Sequence, residues 1–124
     1  MSILAKEGDS MCTKSEAITI LEEAYERSRD IFGDGLINGY LYGSYARGDF
    51  DAESDVDILL TVDRSDDEIR SNNKLIARID SDLSLAHNVT VSVTVKQSDQ
   101  FDRFADISPF YRNVINEGIC YAGK

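Results

Sequence analysis

The segment that decides the fold runs from residue 43 to residue 60 and reads GSYARGDFDAESDVDILL. It joins a Gly-Ser turn to an apolar run. Four acids along it have the neighbours of loop residues: Asp49, Asp51, Glu53 and Asp55. A fifth, Asp57, lies inside the apolar stretch 56–60, where an unpaired carboxylate is costly to bury. Its position therefore predicts a functional site.

The spacing of Asp55 and Asp57 predicts a metal site. In an extended strand, side chains two residues apart point to the same face, about 6.5–7 Å apart along the backbone. Two such carboxylates repel each other unless a cation lies between them. Mg²⁺ suits this position because it is commonly held by one or two carboxylates together with substrate phosphates. The alternative is structural, with Asp55 capping a turn and Asp57 as a buried, paired acid.

The Gly-Ser turn upstream predicts a phosphate-binding element. Gly43 lets the backbone approach a phosphate closely, and Ser44 can donate hydrogen bonds from its hydroxyl and its amide. Arg47 can add a two-pronged contact to the same phosphate. It can equally form a surface ion pair with Asp49 or Glu53, and the sequence leaves both options open.

The same segment carries a family resemblance. Gly43-Ser44, ten further residues and then Asp55-Val56-Asp57 resemble the Gly-Ser…Asp-x-Asp signature of the DNA polymerase beta-like nucleotidyltransferase superfamily. The segment is most similar to the superfamily's minimal nucleotidyltransferase (MNT) branch, and the resemblance covers about residues 15–121. It implies transfer of a nucleotidyl group from a nucleoside triphosphate, expected to be ATP with Mg²⁺, to an acceptor hydroxyl.

The resemblance also implies residue roles and a partner. Ser44 would hold the triphosphate, with Gly43 and Arg47 as further nucleotide-binding residues. Asp55 and Asp57 would be the catalytic residues and the metal ligands. MNT members are often antitoxins paired with HEPN-domain toxins, and some add AMP to a toxin tyrosine, so we expect a protein acceptor such as a HEPN toxin. The alternative is a catalytically degenerate nucleotide-binding antitoxin that acts by protein–protein binding, and the oligomeric state is left open.

The next predicted strand departs from the superfamily's pattern. Two-metal transfer normally uses a further carboxylate there to activate the acceptor hydroxyl. In residues 89–95, VTVSVTV, the valines form one face and the hydroxyl residues Thr90, Ser92 and Thr94 form the other. We expect Ser92 in the position where active relatives carry Asp. A hydroxyl neither neutralises a dication nor acts as an effective base at neutral pH, which supports the degenerate alternative.

The rest of the chain predicts an α+β domain. Thr13 and Glu16 have capping-box spacing, and an apolar face then recurs at three- and four-residue steps to Phe32. Strands are expected within 36–43, 55–62, 88–96 and 119–122, one long helix within 65–88, and a helix after Ser108-Pro109. We expect the minimal polymerase beta-like nucleotidyltransferase fold, a small mixed sheet backed by helices. Residues 1–12 are predicted to be a flexible tail and residues 13–124 a single domain.

Composition limits the partners and the compartment. The formal net charge is −10, which repels nucleic-acid backbones, and no stretch clusters Lys and Arg with aromatic residues. A nucleic-acid partner is therefore not expected. No apolar run reaches the roughly 18 residues that span a bilayer, and the N-terminus lacks a secretory pattern. Because Cys12 and Cys120 are far apart in the chain, we expect reduced thiols and a cytoplasmic location.

Overall fold

The computed structural model describes residues 12–122, which form six α-helices and four strands. The predicted tail, residues 1–12, lies outside the described residues except for Cys12, whose side chain is buried. A single 3₁₀ turn, Gly33–Gly35, separates the first helix from the first strand. The elements in chain order are α1 (Lys14–Phe32), β1 (Leu36–Tyr42), α2 (Ser44–Arg47), β2 (Val56–Val62), α3 (Asp66–Ser71), α4 (Asn73–His87), β3 (Val91–Gln97), α5 (Ser98–Phe104), α6 (Pro109–Glu117) and β4 (Ile119–Tyr121).

The four strands form one mixed sheet in the order β3-β2-β1-β4. β1 runs antiparallel to both of its neighbours, β2 and β4. β2 and β3 run parallel, and the crossover between them contains α3 and α4. A parallel pair needs such a long connection, because a tight turn can only join antiparallel strands. The predicted small mixed sheet backed by helices is confirmed.

Helices cover both faces of the sheet. Leu60 belongs to the larger apolar core, which α1 and α4 complete, for example through Leu21 and Ile79. The adjacent residue, Leu59, points to the opposite face and packs with Phe101 and Val114, which belong to α5 and α6. Consecutive buried leucines on one strand are expected only where both faces are covered. The second face is the one that carries Asp57.

Three predicted helix starts are confirmed by their caps. The side chains of Thr13, Ser65 and Ser108 each accept a hydrogen bond from the backbone amide three residues later, at 3.0, 3.1 and 3.3 Å. Each cap satisfies one of the amides that a helix start leaves without an intrahelical partner. Within residues 12–122, no helix combines the length and the apolar character needed to cross a bilayer.

The single long helix predicted for residues 65–88 is wrong, because the structure divides it into α3 and α4 at Asn72. The side chains of Ser71 and Asn72 both donate to the backbone carbonyl of Glu68, at 2.8 and 2.9 Å. Short polar side chains that bond to a nearby backbone compete with helix propagation. The apolar spacing continues through this break, so periodicity alone does not reveal it.

α4 also covers the free edge of β3. The backbone amide of Val91 donates to the Ser84 hydroxyl, and that of Val93 donates to Oδ1 of Asp80, both at 2.9 Å. Ser84 and Asp80 are four residues apart and therefore lie on one side of the helix. Burial raises the pKa of Asp80 to about 6, although the hydrogen bond from Val93 opposes the shift. This contact protects strand amides that would otherwise be open to pairing with another chain.

Candidate active site

The turn between β1 and α2 lies against the Asp57 carboxylate. Gly43 has a φ of 80°, in the left-handed region that side chains disfavour. A Cβ atom at this position would lie only 2.7 Å from Oδ2 of Asp57. Glycine is therefore required twice, by the backbone conformation and by the close approach of the carboxylate. The two halves of the predicted motif, Gly43-Ser44 and Asp57, meet in space.

Asp57 is half-buried within β2, whereas Asp55 is exposed and immediately precedes the strand. Asp55 and Asp57 were both predicted to lie on this strand, but the strand begins at Val56, one residue after Asp55. The pKa of Asp57 is raised, mainly by burial and secondly by the negative charge of Asp55, while Arg47 lowers it. Within residues 12–122, the Asp57 carboxylate accepts no hydrogen bond and forms no ion pair within 4 Å. A half-buried carboxylate without such a partner favours a cation beside it.

Asp57 is flanked by one residue on each neighbouring strand. Tyr42 of β1 is its antiparallel partner, and Ser92 of β3 is its parallel partner. Burial raises the pKa of Tyr42, and the charge of Asp57 raises it further. Ser92 is exposed. The residue expected in place of a further carboxylate thus lies directly beside Asp57.

The acidic side chains limit how a metal could be held. Within residues 12–122, no group of three or more His, Cys, Asp or Glu side chains is arranged to hold a metal ion. Asp55 and Asp57 can supply at most a carboxylate pair, and the remaining ligands would have to come from substrate phosphates and water. This donor set is the one typical of Mg²⁺ bound with a nucleotide.

The other candidate phosphate ligands surround the same turn. Ser44 is the first residue of α2, and its hydroxyl has no hydrogen-bond partner in the described part of the chain. Arg47, the last residue of α2, forms exposed ion pairs with Asp49 at 3.2 Å and Glu117 at 3.8 Å. Pairing with Asp49 was among the options that the sequence left open, whereas the pair with Glu117 is not evident from the sequence. Exposed pairs of this kind are weak, so the Arg47 guanidinium can exchange them for a phosphate.

A cavity of about 230 Å³ adjoins the site, between the Tyr42-Gly43 turn and α6. Tyr42 and Phe110 form an edge-to-face pair in its wall, with ring centroids 5.4 Å apart. The α6 side of this cavity was not predicted from the sequence, and the Phe110 side chain there is 44% exposed. The detectable signal was the spacing of Phe110, Asn113 and Glu117, which places all three on one helix face.

Tyr45 is excluded as a ligand for a nucleotide base. Its side chain is buried and stacks on Phe50, with ring centroids 4.3 Å apart. The stack anchors the loop that leads from α2 towards Asp55. Three tyrosines are close to the motif in the sequence and have different environments: Tyr42 lines the cavity, Tyr40 packs with Phe101, and Tyr45 belongs to the core.

Two relatives from Methanocaldococcus jannaschii are named protein adenylyltransferases. MJ0141 is 35% identical over 91 residues, which are 73% of this chain and 90% of the relative. MJ0604 is 36% identical over 78 residues, which are 63% of this chain and 70% of the relative. The matches show common ancestry over most of the described domain.

Two solved structures share the fold. They are crystal structures of mutants of the toxin–antitoxin MntA–HpeT, with TM-scores of 0.55 and 0.52 and sequence identities of 19% and 21%. The alignments cover 83% of this chain in both cases, and 73% and 72% of the matched chains. Residues 20–119, which contain the whole candidate site, match the family model described as "Nucleotidyltransferase domain". The chain therefore belongs to the nucleotidyltransferase domain family.

Proposed function

We propose that this protein transfers AMP from ATP, bound together with Mg²⁺, to a hydroxyl group of a protein partner such as a HEPN toxin. The observation that carries the proposal is the contact between the Gly43 turn and the Asp57 carboxylate, in a chain of the nucleotidyltransferase family. The names of the two M. jannaschii relatives support both AMP as the transferred group and a protein as the acceptor.

Asp55 and Asp57 would hold the metal. The fit rests on the half-buried Asp57 carboxylate, whose pKa is raised because burial and Asp55 both disfavour its charge. A bound Mg²⁺ would neutralise phosphate charge and polarise the α-phosphoryl group for attack. Gly43 would allow the turn to approach the phosphates, while Ser44 would donate to them.

Transfer would form a bond between the acceptor oxygen and the α-phosphorus as the bond to the departing pyrophosphate breaks. The proton of the acceptor hydroxyl would pass to solvent water, because β3 supplies no carboxylate to accept it. Ser92 lies beside Asp57, where a carboxylate would assist that step, and its hydroxyl is a poor base at neutral pH. Holding the ATP phosphates and the acceptor in line is therefore the main contribution that this chain's residues would make.

The choice of a protein acceptor also agrees with the electrostatics. With a formal net charge of −10, the chain attracts cationic surfaces and repels nucleic acid. The fold is shared with the MntA–HpeT toxin–antitoxin, so a toxin is a reasonable class of partner. The proposed compartment is the cytoplasm, where ATP and reduced thiols are available.

A second function is favoured by Ser92 itself. Without a carboxylate next to Asp57, the chain would keep the nucleotide cradle and lose transfer, and it would then act as an antitoxin by binding its partner. The two functions differ in one outcome, which is whether label from ATP reaches the partner.

The experiment is to incubate the chain with α-labelled ATP, Mg²⁺ and a HEPN toxin, and to follow the label on the toxin. Transfer by the wild type and its loss in Asp57→Asn would support the enzyme. Asp30→Asn, an exposed acid on α1, is the matched control and should transfer normally. Binding of ATP and toxin without any transfer would support the binding module and contradict the enzyme.

A further inference from the structure

The cavity beside the Gly43 turn shares residues with the proposed phosphate cradle. Gly43 and Arg47 line it on one side, and α6 lines it on the other. Its volume of about 230 Å³ falls below the range of roughly 300–1,000 Å³ that is usual for sites enclosing a whole drug-sized ligand. It can therefore take one part of a nucleotide while the phosphates lie outside it.

The apolar walls of the cavity suit a flat ring. Phe110 is 44% exposed although its ring contacts the rings of Tyr42 and Tyr111, so part of the ring remains accessible to a ligand. Val114, which is buried and packs with Leu59 and Phe101, also lines the cavity. Stacking of a nucleotide base on an aromatic side chain is worth about 1–3 kcal/mol and would cover this exposed surface.

Asn113 supplies the polar group at the same cavity. It lies one helical turn from Phe110 on α6, and its side-chain amide has no hydrogen-bond partner among residues 12–122. The amide offers one acceptor and one donor side by side. Glu117, one turn further along, is instead engaged with Arg47 at 3.8 Å, and Arg47 both lines the cavity and lowers the pKa of Asp57.

We propose that this cavity binds the nucleotide base, that Phe110 stacks on the base, and that Asn113 makes the site prefer adenine. The inference rests on the proposed function, because it assumes a nucleotide at the Gly43 turn. In the proposed pairing, Asn113 contacts the major-groove edge of the base. Adenine presents the N6 amino donor and the N7 acceptor on that edge, and these match the Asn amide. Guanine presents two acceptors on that edge, so one of them would face the Asn113 oxygen without a proton between them.

The test compares the affinities of ATP, GTP and inorganic triphosphate for the intact chain in Mg²⁺, by calorimetric titration. We expect ATP to bind about tenfold more tightly than GTP, and Asn113→Ala to bring the two affinities within about twofold of each other. Phe110→Ala should weaken both nucleotides about tenfold. The affinity for inorganic triphosphate should be the same in both variants as in the wild type. Retained triphosphate binding also shows that the variants are folded.

Ile115→Ala is the matched control, because Ile115 is 42% exposed on α6 and does not line the cavity. It should leave all three affinities unchanged. If the wild type binds triphosphate as well as it binds ATP, or if both α6 cavity variants keep wild-type ATP and GTP affinities, the base site is overturned and the phosphate site stands. If the wild type binds neither ATP nor triphosphate, the proposed function fails together with this inference.

Discussion

Asp57 and Ser92 occupy paired positions on the parallel strands β2 and β3, with their side chains on the sheet face that α5 and α6 partly cover. This pairing places a hydroxyl where a nucleotidyltransferase would gain most from a carboxylate. Burial and the charge of Asp55 raise the pKa of Asp57, and β3 places no acidic side chain beside it. The pairing is therefore the feature that divides the two functional hypotheses.

Replacing Ser92 with Asp should create a stronger metal site. In EDTA, the new carboxylate beside Asp57 should lower the free energy of unfolding by about 1 kcal/mol, because like charges on paired residues repel. Mg²⁺ should reverse this loss and bind about tenfold more tightly than to the wild type. Urea unfolding with and without Mg²⁺ measures both effects. Ser92→Asn, which has the same shape and no charge, is the control, and identical behaviour of the two variants would contradict the prediction.

Gly43→Ala should disrupt the site more than its backbone strain alone explains. A positive φ costs a non-glycine residue about 1–2 kcal/mol, and here the new Cβ would also lie 2.7 Å from the Asp57 carboxylate. We expect loss of ATP binding together with a lower melting temperature. Gly48→Ala is the matched control, since Gly48 has a φ of 93° but open space around its Cβ position. It should be destabilised by strain and keep its ATP affinity; equal ATP affinities in the two variants would refute the close-contact argument.

Arg47→Ala should weaken ATP binding several-fold and leave stability nearly unchanged. Both of its ion pairs are exposed, and such pairs contribute about 0–1 kcal/mol each. A phosphate contact would contribute more, because it adds two charge-assisted hydrogen bonds. Titration with ATP and thermal melting give the two readouts. Arg27→Ala, which removes the exposed pair with Asp82, serves as the control; wild-type ATP affinity in Arg47→Ala would show that Arg47 only pairs with acids.

Asp80→Asn should stabilise the protein at neutral pH. The folded-state pKa of about 6 exceeds the ordinary value of 3.8, so the stability linked to this group is complete below about pH 3.8 and is lost as the pH rises through 6. Asparagine keeps the acceptor for Val93 without the charge. After allowance for partial solvent screening, we expect about 1 kcal/mol of added stability at pH 7 and a smaller gain at pH 4.

Urea unfolding at pH 4 and pH 7 measures the Asp80 effect. Ser84→Ala removes the neighbouring edge contact without touching a titratable group, so it should lower stability by a similar amount at both pH values. An Asp80→Asn protein that is equally destabilised at both pH values would show that the hydrogen bond, and not the charge, dominates at this edge.

Much of the scaffold was predictable because its signals are local. The Thr13 cap acts within one helical turn, and the adjacent leucines Leu59 and Leu60 reveal a strand covered on both faces. The alternation of residues 89–95 also predicted that Thr90, Ser92 and Thr94 share the face of the Asp pair, and only the sheet register places Ser92 opposite Asp57. The close contact between Gly43 and Asp57 could not be predicted from either residue alone, because it depends on the register in which β1 pairs with β2.

Other features depend on tertiary contacts that a pattern does not show. The helix break at Asn72 arises from side-chain bonds to one carbonyl, while the apolar spacing runs on unchanged. In the sequence, nothing distinguishes Asp80 from the exposed acids of a helix. Only the position of β3 provides a strand amide, that of Val93, which donates to its carboxylate. The cavity beside the Gly43 turn combines β1 with α6, which are far apart in the chain, so the sequence could place Phe110 and Asn113 on one helix face but could not assign them to this cavity.

The claim that Asp57 anchors a metal–nucleotide site is tested by calorimetric titration of ATP into the intact chain. The titration is run with Mg²⁺ and with EDTA, for the wild type and for Asp57→Asn. We expect the wild type to bind ATP tightly only when Mg²⁺ is present, and Asp57→Asn to lose at least about tenfold in ATP affinity. Equal ATP affinities for the two proteins in Mg²⁺, or wild-type binding that is indifferent to the metal, would contradict the claim that Asp57 anchors a metal–nucleotide site.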